Sequence, residues 1–220
     1  LLINFAFIVI AHRLWGQMGL FVWIAIAAIT ANIQVTKTIE LFGLTATLGN
    51  IVYAGTFLVT DILNERYGKK AAQKAVVFGF VAIVTHTLLM NVALWFAPDG
   101  SDVVHPHMVA IFGILPRISV ASLAAYLVSQ VHDIWAFQLW RRRFPKHLWL
   151  RNNLSTGVSQ LIDSVVFSLI AFWGVFPAGV LAEIVLTTYL LKLVVSAGDT
   201  PFVYLGVRWG PRAQSTEADN

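Results

Sequence analysis

The chain has 220 residues, of which 58% are hydrophobic and 12% are charged, with a net charge of +4 and a mean hydropathy of +0.74. Soluble domains carry about 25% charged residues. The composition therefore excludes an ordinary soluble domain and indicates a polytopic membrane protein. Cysteine is absent, which excludes disulfides and thiolate metal sites.

The apolar runs predict the architecture. Leu1 to Ala11 is too short to span a bilayer alone, and we interpret it as the end of a truncated helix. Six longer runs follow, each long enough for a hydrocarbon core of about 30 Å, at about 14–36, 50–66, 73–97, 107–137, 155–175 and 179–207. Residues 37–48 are expected to form a mixed loop, and Pro116 to kink the fifth run.

The expected fold is an all-α polytopic membrane helix bundle, with six core transmembrane helices plus a partial or extra N-terminal helix. Residues 1–210 are expected to form one integral membrane domain, and residues 211–220 a disordered cytoplasmic tail. The predicted loops alternate between the two sides of the membrane, and the lysines and arginines divide unevenly between these sides. Lys37 is the one cation on one side. Twelve of the fifteen cations lie on the other side: Arg13, Arg66, Lys69, Lys70, Lys74, Arg141, Arg142, Arg143, Lys146, Arg151, Arg208 and Arg212. The positive-inside rule places those twelve and the C-terminus in the cytoplasm.

Polar side chains recur inside the predicted spans, where a charge costs about 3 kcal/mol on insertion scales. Asp61 and Asp163 lack a cation one turn away in their own helices, so a functional role is expected for both. Thr188, Lys192, Ser196 and Asp199 share one helical face, which must point into the bundle. Arg117 and Lys192 are alternatively architectural partners of Asp163 or Asp199.

One spacing suggests internal symmetry. Asn50 precedes Asp61 by eleven residues, and Asn152 precedes Asp163 by the same interval. Eleven residues make about three turns, and the two runs cross in opposite directions. An inverted repeat of this kind places a substrate site near the membrane midplane, between the two halves.

Motifs for enzymatic chemistry are missing from the sequence, including H-E-x-x-H, G-x-S-x-G and the P-loop. An aspartyl pair of Asp61 and Asp163 is the remaining enzymatic alternative. His105-Pro-His107 has no third metal ligand nearby, so a solvated loop is favoured. We expect no enzyme, no cofactor and no metal site.

Eight segments resemble the queuosine precursor transporter family, also called the vitamin uptake transporter family, and they cover nearly the whole chain. These segments are ANIQVTK (31–37), LFG (41–43), TLGN (47–50), FLVTDILNERYGKK (57–70), PRISVASLAAYLVSQVHDIW (116–135), LWLRNNLSTGVSQLIDSVVF (148–167), TTYLLK (187–192) and DTPFVYL (199–205). The resemblance implies an inner-membrane protein with a core of about six helices. It implies import of 7-cyano-7-deazaguanine or 7-aminomethyl-7-deazaguanine.

The residues suit such a base. A carboxylate accepts the N1–H and the exocyclic amine together, an amide or a cation donates to O6, and an aromatic ring stacks on the heterocycle. Besides Tyr189, the aromatic side chains of Phe57, Phe167 and Trp173 are candidates for stacking on the base. The predicted substrate-binding residues are Asn32, Gln34, Asn50, Asp61, Arg117, Asn153, Gln160, Asp163, Tyr189, Lys192 and Asp199.

Two modes of transport remain open at this point. The chain is either a stand-alone carrier or the substrate-binding subunit of an importer that needs a separate ATPase module. Ala27 and Ala31 give the small-xxx-small spacing of helix docking surfaces, which suits the subunit. The expected partners are the substrate, the lipid bilayer and either an energising module or a second copy, without nucleic acid.

Overall fold

A computed structural model describes residues 1–143, 148–198 and 200–209; within these ranges the side chains of 130, 133–134, 137–138, 140–143, 148–156, 195–198 and 200 are not described. Helices dominate, as predicted. The elements are α1 (Leu2–Gln34), β1 (Thr38–Leu41), β2 (Leu44–Thr47), α2 (Gly49–Tyr67), α3 (Lys69–Ala93), α4 (His105–Phe112), α5 (Leu115–Arg143), α6 (Leu148–Phe172), α7 (Ala178–Gly198) and α8 (Thr200–Trp209).

Three helical stretches in the described part of the chain are long and apolar enough to cross a membrane. They are Leu2–Gln34, Lys69–Ala93 and His105–Ser129. The 19 residues of α2 would also reach across, but Asp61, Glu65 and Arg66 lie in its last two turns. Length and hydropathy thus support part of the predicted bundle, and the six-helix core stays a prediction.

The first helix reverses direction at Gly16. The backbone there has φ 58° and ψ −138°, a conformation open essentially to glycine. A straight helix would separate Phe7 and Trp23 by about 24 Å, yet their rings stack with centroids 6.0 Å apart. Residues 2–15 therefore return antiparallel to residues 17–34. The expected truncated helix end is instead one arm of a helical hairpin.

This N-terminal arm runs along α2 in the same direction. Asn4 donates from Nδ2 to the carbonyl of Val52 at 3.2 Å, near the start of α2. His12 Nε2 lies 3.0 Å from the Tyr67 hydroxyl, at its end. The ring of Phe5 meets that of Phe202 in α8 at 5.1 Å. The arm is thus packed into the bundle through both of these helices.

The expected loop at residues 37–48 contains an antiparallel β-hairpin, so that prediction was wrong. Thr38 pairs with Thr47 and Leu41 with Leu44. Phe42 and Gly43 between the strands both have positive φ, 54° and 79°, which is the geometry of a type I′ turn. This hairpin and the loop 94–104 lie at one end of the bundle, the hairpin end. Arg13, Arg66, Lys69, Lys70 and Lys74 mark the other end, the basic end.

Two predicted spans are interrupted. The fifth divides into α4 and α5 at residues 113–114, two residues before Pro116. The proline begins α5 instead of kinking its middle, because its ring restricts the preceding residue and needs no amide bond in the first helical turn. The seventh span divides into α7 and α8.

The apolar core has two parts, and the space between them defines the site. The first core joins α1, α2 and α3 through side chains such as Leu20, Leu58 and Ala75. The second joins α5, α6 and α7, and includes Ile118, Phe172 and Ile184. The bundle therefore consists of two helix groups, each with an apolar core, that also contact each other, as in the buried hydrogen bond between Thr87 and Ser119.

Candidate functional site

A cavity lies between the two helix groups, and we call it the central cavity; it has about 450 Å³ of empty space, open solvent included. Both helix groups contribute to its wall: Ala31, Asn32, Gly49, Asn50 and Tyr53 come from α1 and α2, Val35 directly follows α1, and Ser122, Ala125, Asp163, Phe167, Thr188 and Lys192 come from α5, α6 and α7.

A close helix contact brings Asn50 to this cavity. A Cβ atom at Gly49 would overlap the Ala31 carbonyl and Val35, so glycine allows α2 to begin directly against α1. Asn50 Nδ2 then donates to the hydroxyls of Thr47 and Thr188, both at 2.8 Å. Both amide hydrogens are used, which leaves Asn50 Oδ1 as the atom that a ligand donor can reach.

An ion pair crosses the cavity wall between α6 and α7. Lys192 Nζ donates to Asp163 Oδ2, and the two side chains are only 8% and 18% exposed. Thr188, one turn before Lys192, lines the same wall, as the predicted shared face requires. Desolvation offsets most of the attraction in a buried pair, so such a pair is weak support for stability. Both side chains line the central cavity.

Asn32 presents an unsatisfied acceptor. Its Nδ2 donates to the carbonyl of Ala28 at 2.8 Å, which fixes the orientation of the amide. Its Oδ1 is buried without a hydrogen-bond partner. A buried polar atom left unpaired costs about 1–3 kcal/mol. A ligand N–H that reached this oxygen would remove that cost.

Aromatic rings complete the wall. Phe167 was among the predicted rings and lines the central cavity, whereas Tyr53 was not predicted. Tyr53 follows Asn50 by three residues and therefore shares its helix face; that spacing is the signal that would have identified it. Ser122 carried no comparable signal, because small hydroxyl residues are common in membrane helices.

A second cavity, the basic-end chamber, begins where the central cavity ends. It holds about 1330 Å³ of empty space, solvent included, and it shares Tyr53 and Asp163 with the central cavity. Gln160 and Phe57, both predicted candidates, line this chamber. Part of the predicted set thus lines two adjoining spaces.

Other predicted residues lie apart from both cavities. Gln34 and Tyr189 are half-buried and Asp61 is exposed, and none of the three lines either space. Their binding roles stay predictions. The side chains of Asn153 and Asp199 lie outside the described part of the structure.

Arg117 closes the end of α6. Its Nε donates to the Ile170 carbonyl at 2.6 Å, and its Nη2 donates to the Trp173 carbonyl at 2.5 Å. The last carbonyls of a helix have no partners within the helix and carry partial negative charge, so an arginine satisfies them well. Arg117 is also not among the residues that line the central cavity.

The two halves of the predicted repeat are not equivalent in the structure. Asp163 lines both cavities, whereas Asp61 is exposed and lines neither. The side chain of Asn152 is outside the described set. The central cavity does lie between two helix groups, as the repeat hypothesis expected, although the aspartates occupy different environments.

The small-xxx-small pair of Ala27 and Ala31 is buried inside the bundle. Ala27 is 1% exposed and Ala31 is 4% exposed, and Ala31 lines the central cavity. These two alanines pack within this chain and leave no free small-xxx-small surface at that place.

Comparison with known proteins gives the class. Residues 47–206 match the family model described as "Putative vitamin uptake transporter". The chain is 45% identical over 212 residues to a "Probable queuosine precursor transporter" of Bacillus subtilis, covering 96% of this chain and 93% of that protein. It is 26% identical over 170 residues to the "Queuosine precursor transporter" of Escherichia coli, covering 76% and 75%. No solved structure matches the chain significantly.

These matches decide between the broad classes. The relatives are named as transporters, so the aspartyl-pair enzyme is not supported and the subunit alternative is not favoured. A transporter of small molecules agrees with apolar helices around a polar cavity. The chain belongs to the vitamin uptake transporter family, and it is a membrane transporter, not an enzyme.

Proposed function

We propose that this chain imports 7-cyano-7-deazaguanine or 7-aminomethyl-7-deazaguanine across the cytoplasmic membrane and binds the base in the central cavity. The observation that carries the proposal is the buried Asp163–Lys192 pair in the wall of the central cavity. The names of the relatives supply the substrate class.

The pair matches the two polar parts of the base. The Asp163 carboxylate accepts the N1–H and the exocyclic amine together, in charge-assisted hydrogen bonds. The Lys192 ammonium, released from Asp163, donates to O6. In the structure the Lys192 ammonium donates to the Asp163 carboxylate. The base replaces that contact by hydrogen bonds, so each charged group keeps a hydrogen-bond partner.

The remaining wall selects for a flat heterocycle with further donors. Asn32 Oδ1 is buried and unpaired, and an N–H on the far side of the base satisfies it. Phe167 supplies a ring from the second helix group. Stacking on an aromatic side chain contributes about 1–3 kcal/mol per base in nucleic-acid-binding proteins.

The basic end is proposed to face the cytoplasm. Arg13, Lys69, Lys70 and Lys74 lie at this end, whereas Lys37, which directly precedes β1, lies at the hairpin end. Cytoplasmic loops carry the excess of lysine and arginine. The base then enters from the hairpin end and leaves towards the basic-end chamber.

Uptake in cells tests the proposal. Bacteria that cannot make queuosine precursors receive this chain, and uptake of radiolabelled 7-cyano-7-deazaguanine is measured. We expect uptake with the unchanged chain and loss of uptake with Asp163→Asn. Asp99→Asn is the matched control, because Asp99 is an exposed loop carboxylate. No uptake by the well-expressed unchanged chain would overturn the function, and full uptake by Asp163→Asn would overturn the site.

The same proteins also test autonomy. The purified chain in liposomes, without any ATPase module, is expected to exchange labelled base across the bilayer. Transport that required an added energising partner would contradict the proposal of a stand-alone carrier.

A further inference from the structure

The proposed function uses the basic-end chamber only as the side towards which the base leaves. The chamber extends from Asp163 to Lys69 and Gln73 at the start of α3, and it holds about 1330 Å³ including open solvent. We infer that this chamber is a second binding station for the same flat base, and that the Tyr53 ring is the gate between the two spaces. This inference rests on the proposed function.

The shared walls carry the argument. Of the residues that line the two cavities, Tyr53 and Asp163 are the ones common to both. Asp163 Oδ2 accepts from Lys192, which lines the central cavity. Asp163 Oδ1 lies 3.4 Å from the hydroxyl of Ser129, which lines the chamber. The carboxylate thus lies in the partition with one oxygen towards each space.

This placement allows a base to be passed across. A base in the central cavity that loses Oδ2 to the returning Lys192 ammonium keeps Oδ1 as an acceptor from the chamber side. The returning Lys192 pairs with the Asp163 carboxylate again, which avoids the cost of an isolated buried carboxylate. Asp163 is therefore the group that connects the two stations.

Tyr53 is suited to be the gate because of its size and its packing. Its ring packs edge-on against Phe57, with centroids 5.7 Å apart and an interplanar angle of 86°. Phe57 lines the chamber and Asn50, one turn before Tyr53, lines the central cavity. The ring therefore stands at the level of α2 where one space ends and the other begins.

The chamber has the chemistry for a neutral heterocycle, with weaker anchoring than the central cavity. Phe80 and Tyr126 form an edge-on pair of rings at 4.9 Å, and Thr60, Ser159 and Gln160 provide neutral donors and acceptors. Asp163 is the one carboxylate among the lining residues that the structure describes. A base in the chamber would stack and form hydrogen bonds but would lack the contact with Lys192. It would therefore bind more weakly there than in the central cavity, which favours its release.

The natural absence of cysteine gives a direct test, because each introduced thiol is unique. Thr60→Cys places a thiol in the chamber and Ser122→Cys places one in the central cavity. Lys70→Cys and Ser101→Cys, both exposed and at opposite ends, calibrate the two sides. A charged, membrane-impermeant methanethiosulfonate is applied to vesicles of either orientation, and the rate of modification is measured.

The inference predicts a distinct pattern. Thr60→Cys reacts from the same side as Lys70→Cys, and Ser122→Cys does not. Adding Tyr53→Ala raises the rate at Ser122→Cys from that side by about tenfold or more, which is about 1.4 kcal/mol. Tyr53→Phe keeps the ring and leaves the rate low. Phe80→Ala, which removes a chamber ring outside the partition, is the matched control and also leaves it low.

Two labelling results obtained without the base would overturn the inference. One is a Thr60→Cys that does not react from the basic end. The other is a Ser122→Cys whose rate is the same with Tyr53→Ala as with Tyr53→Phe. If Tyr53→Ala does not accumulate, Tyr53→Leu replaces it, since leucine also lacks the reach of the phenol ring.

The labelling pattern needs no substrate, so it separates the two proposals. A correct pattern with no uptake of 7-cyano-7-deazaguanine refutes the proposed substrate and leaves the gate. Uptake with a wrong pattern refutes the gate and leaves the function. Adding 7-cyano-7-deazaguanine, where uptake occurs, is expected to slow the modification of Thr60→Cys; an unchanged rate at saturating base would contradict the second station.

Discussion

Replacing Lys192 by methionine tests the ion pair most sharply. The two side chains are 8% and 18% exposed, so Lys192→Met leaves the Asp163 carboxylate buried without its cation. Removing one partner of a buried pair costs about 3–5 kcal/mol. For a chain of this length, 1 kcal/mol shifts Tm by about 2–4 °C, so Tm is expected to fall by roughly 6–20 °C.

The double variant Asp163→Asn/Lys192→Met separates stability from transport. It removes both charges, and neutral replacement of a buried pair is often harmless or stabilising. Its Tm is therefore expected to return close to that of the unchanged chain. Uptake of 7-cyano-7-deazaguanine is expected to stay at background, because the groups that hold the edge of the base are gone.

Thermal unfolding of the purified variants and uptake in proteoliposomes give the two readouts. A double variant that is stable and transports normally would show that the pair is architectural, and the assignment of the central cavity would then be refuted. A single variant Lys192→Met with unchanged Tm would refute the argument from burial instead.

Three further predictions follow from individual contacts. Asn32→Leu removes the unpartnered Oδ1, so Tm should not fall while affinity for the base falls about tenfold, or about 1.4 kcal/mol; equal affinity in a binding titration would exclude contact at this amide. Gly49→Val overlaps the Ala31 carbonyl and should destabilise by about 1–3 kcal/mol as an overpacked contact, whereas Gly100→Val, with open space around it, should leave Tm unchanged. Asp102 accepts from the amides of Val104 and His105, which lowers the pKa of its carboxyl below 3.8. Its contribution to stability is therefore present above 3.8 and lost as pH falls through the lowered pKa; a carbon NMR titration midpoint at or above 3.8 would contradict the capping contacts.

The sequence determined the helical class because hydrophobic runs of this length have few other solutions. It also identified Asn32, Asn50, Asp163 and Lys192, since polar groups inside apolar helices must face the interior. The structure brings these four side chains to one cavity.

The parts that could not be predicted depend on local geometry and on packing between distant segments. The reversal at Gly16 uses a φ of 58°, and a glycine in an apolar run is equally compatible with a continuous membrane helix. The turn at Phe42-Gly43 lacks the usual Asn-Gly signal of a hairpin. Hydrogen bonds from Thr187 to the Thr45 carbonyl and from the Thr45 amide to Glu183 attach this hairpin to α7.

Asp61 shows the limit of reasoning from cost alone. Burying its carboxylate in a membrane helix was expected to cost free energy, and the same was expected for Asp163. The two differ in depth and surroundings: Asp61 is exposed near the basic end of α2, whereas Asp163 meets Lys192 from another helix. Spacing within one helix cannot reveal a partner that tertiary packing supplies.

The most direct measurement is a structure of this chain with 7-cyano-7-deazaguanine bound. The account predicts the base in the central cavity. The Asp163 carboxylate lies within hydrogen-bond distance of N1–H and the exocyclic amine, and Lys192 Nζ contacts O6 and no longer contacts the carboxylate. A base bound away from Asp163, with the Asp163–Lys192 pair unchanged, would contradict it.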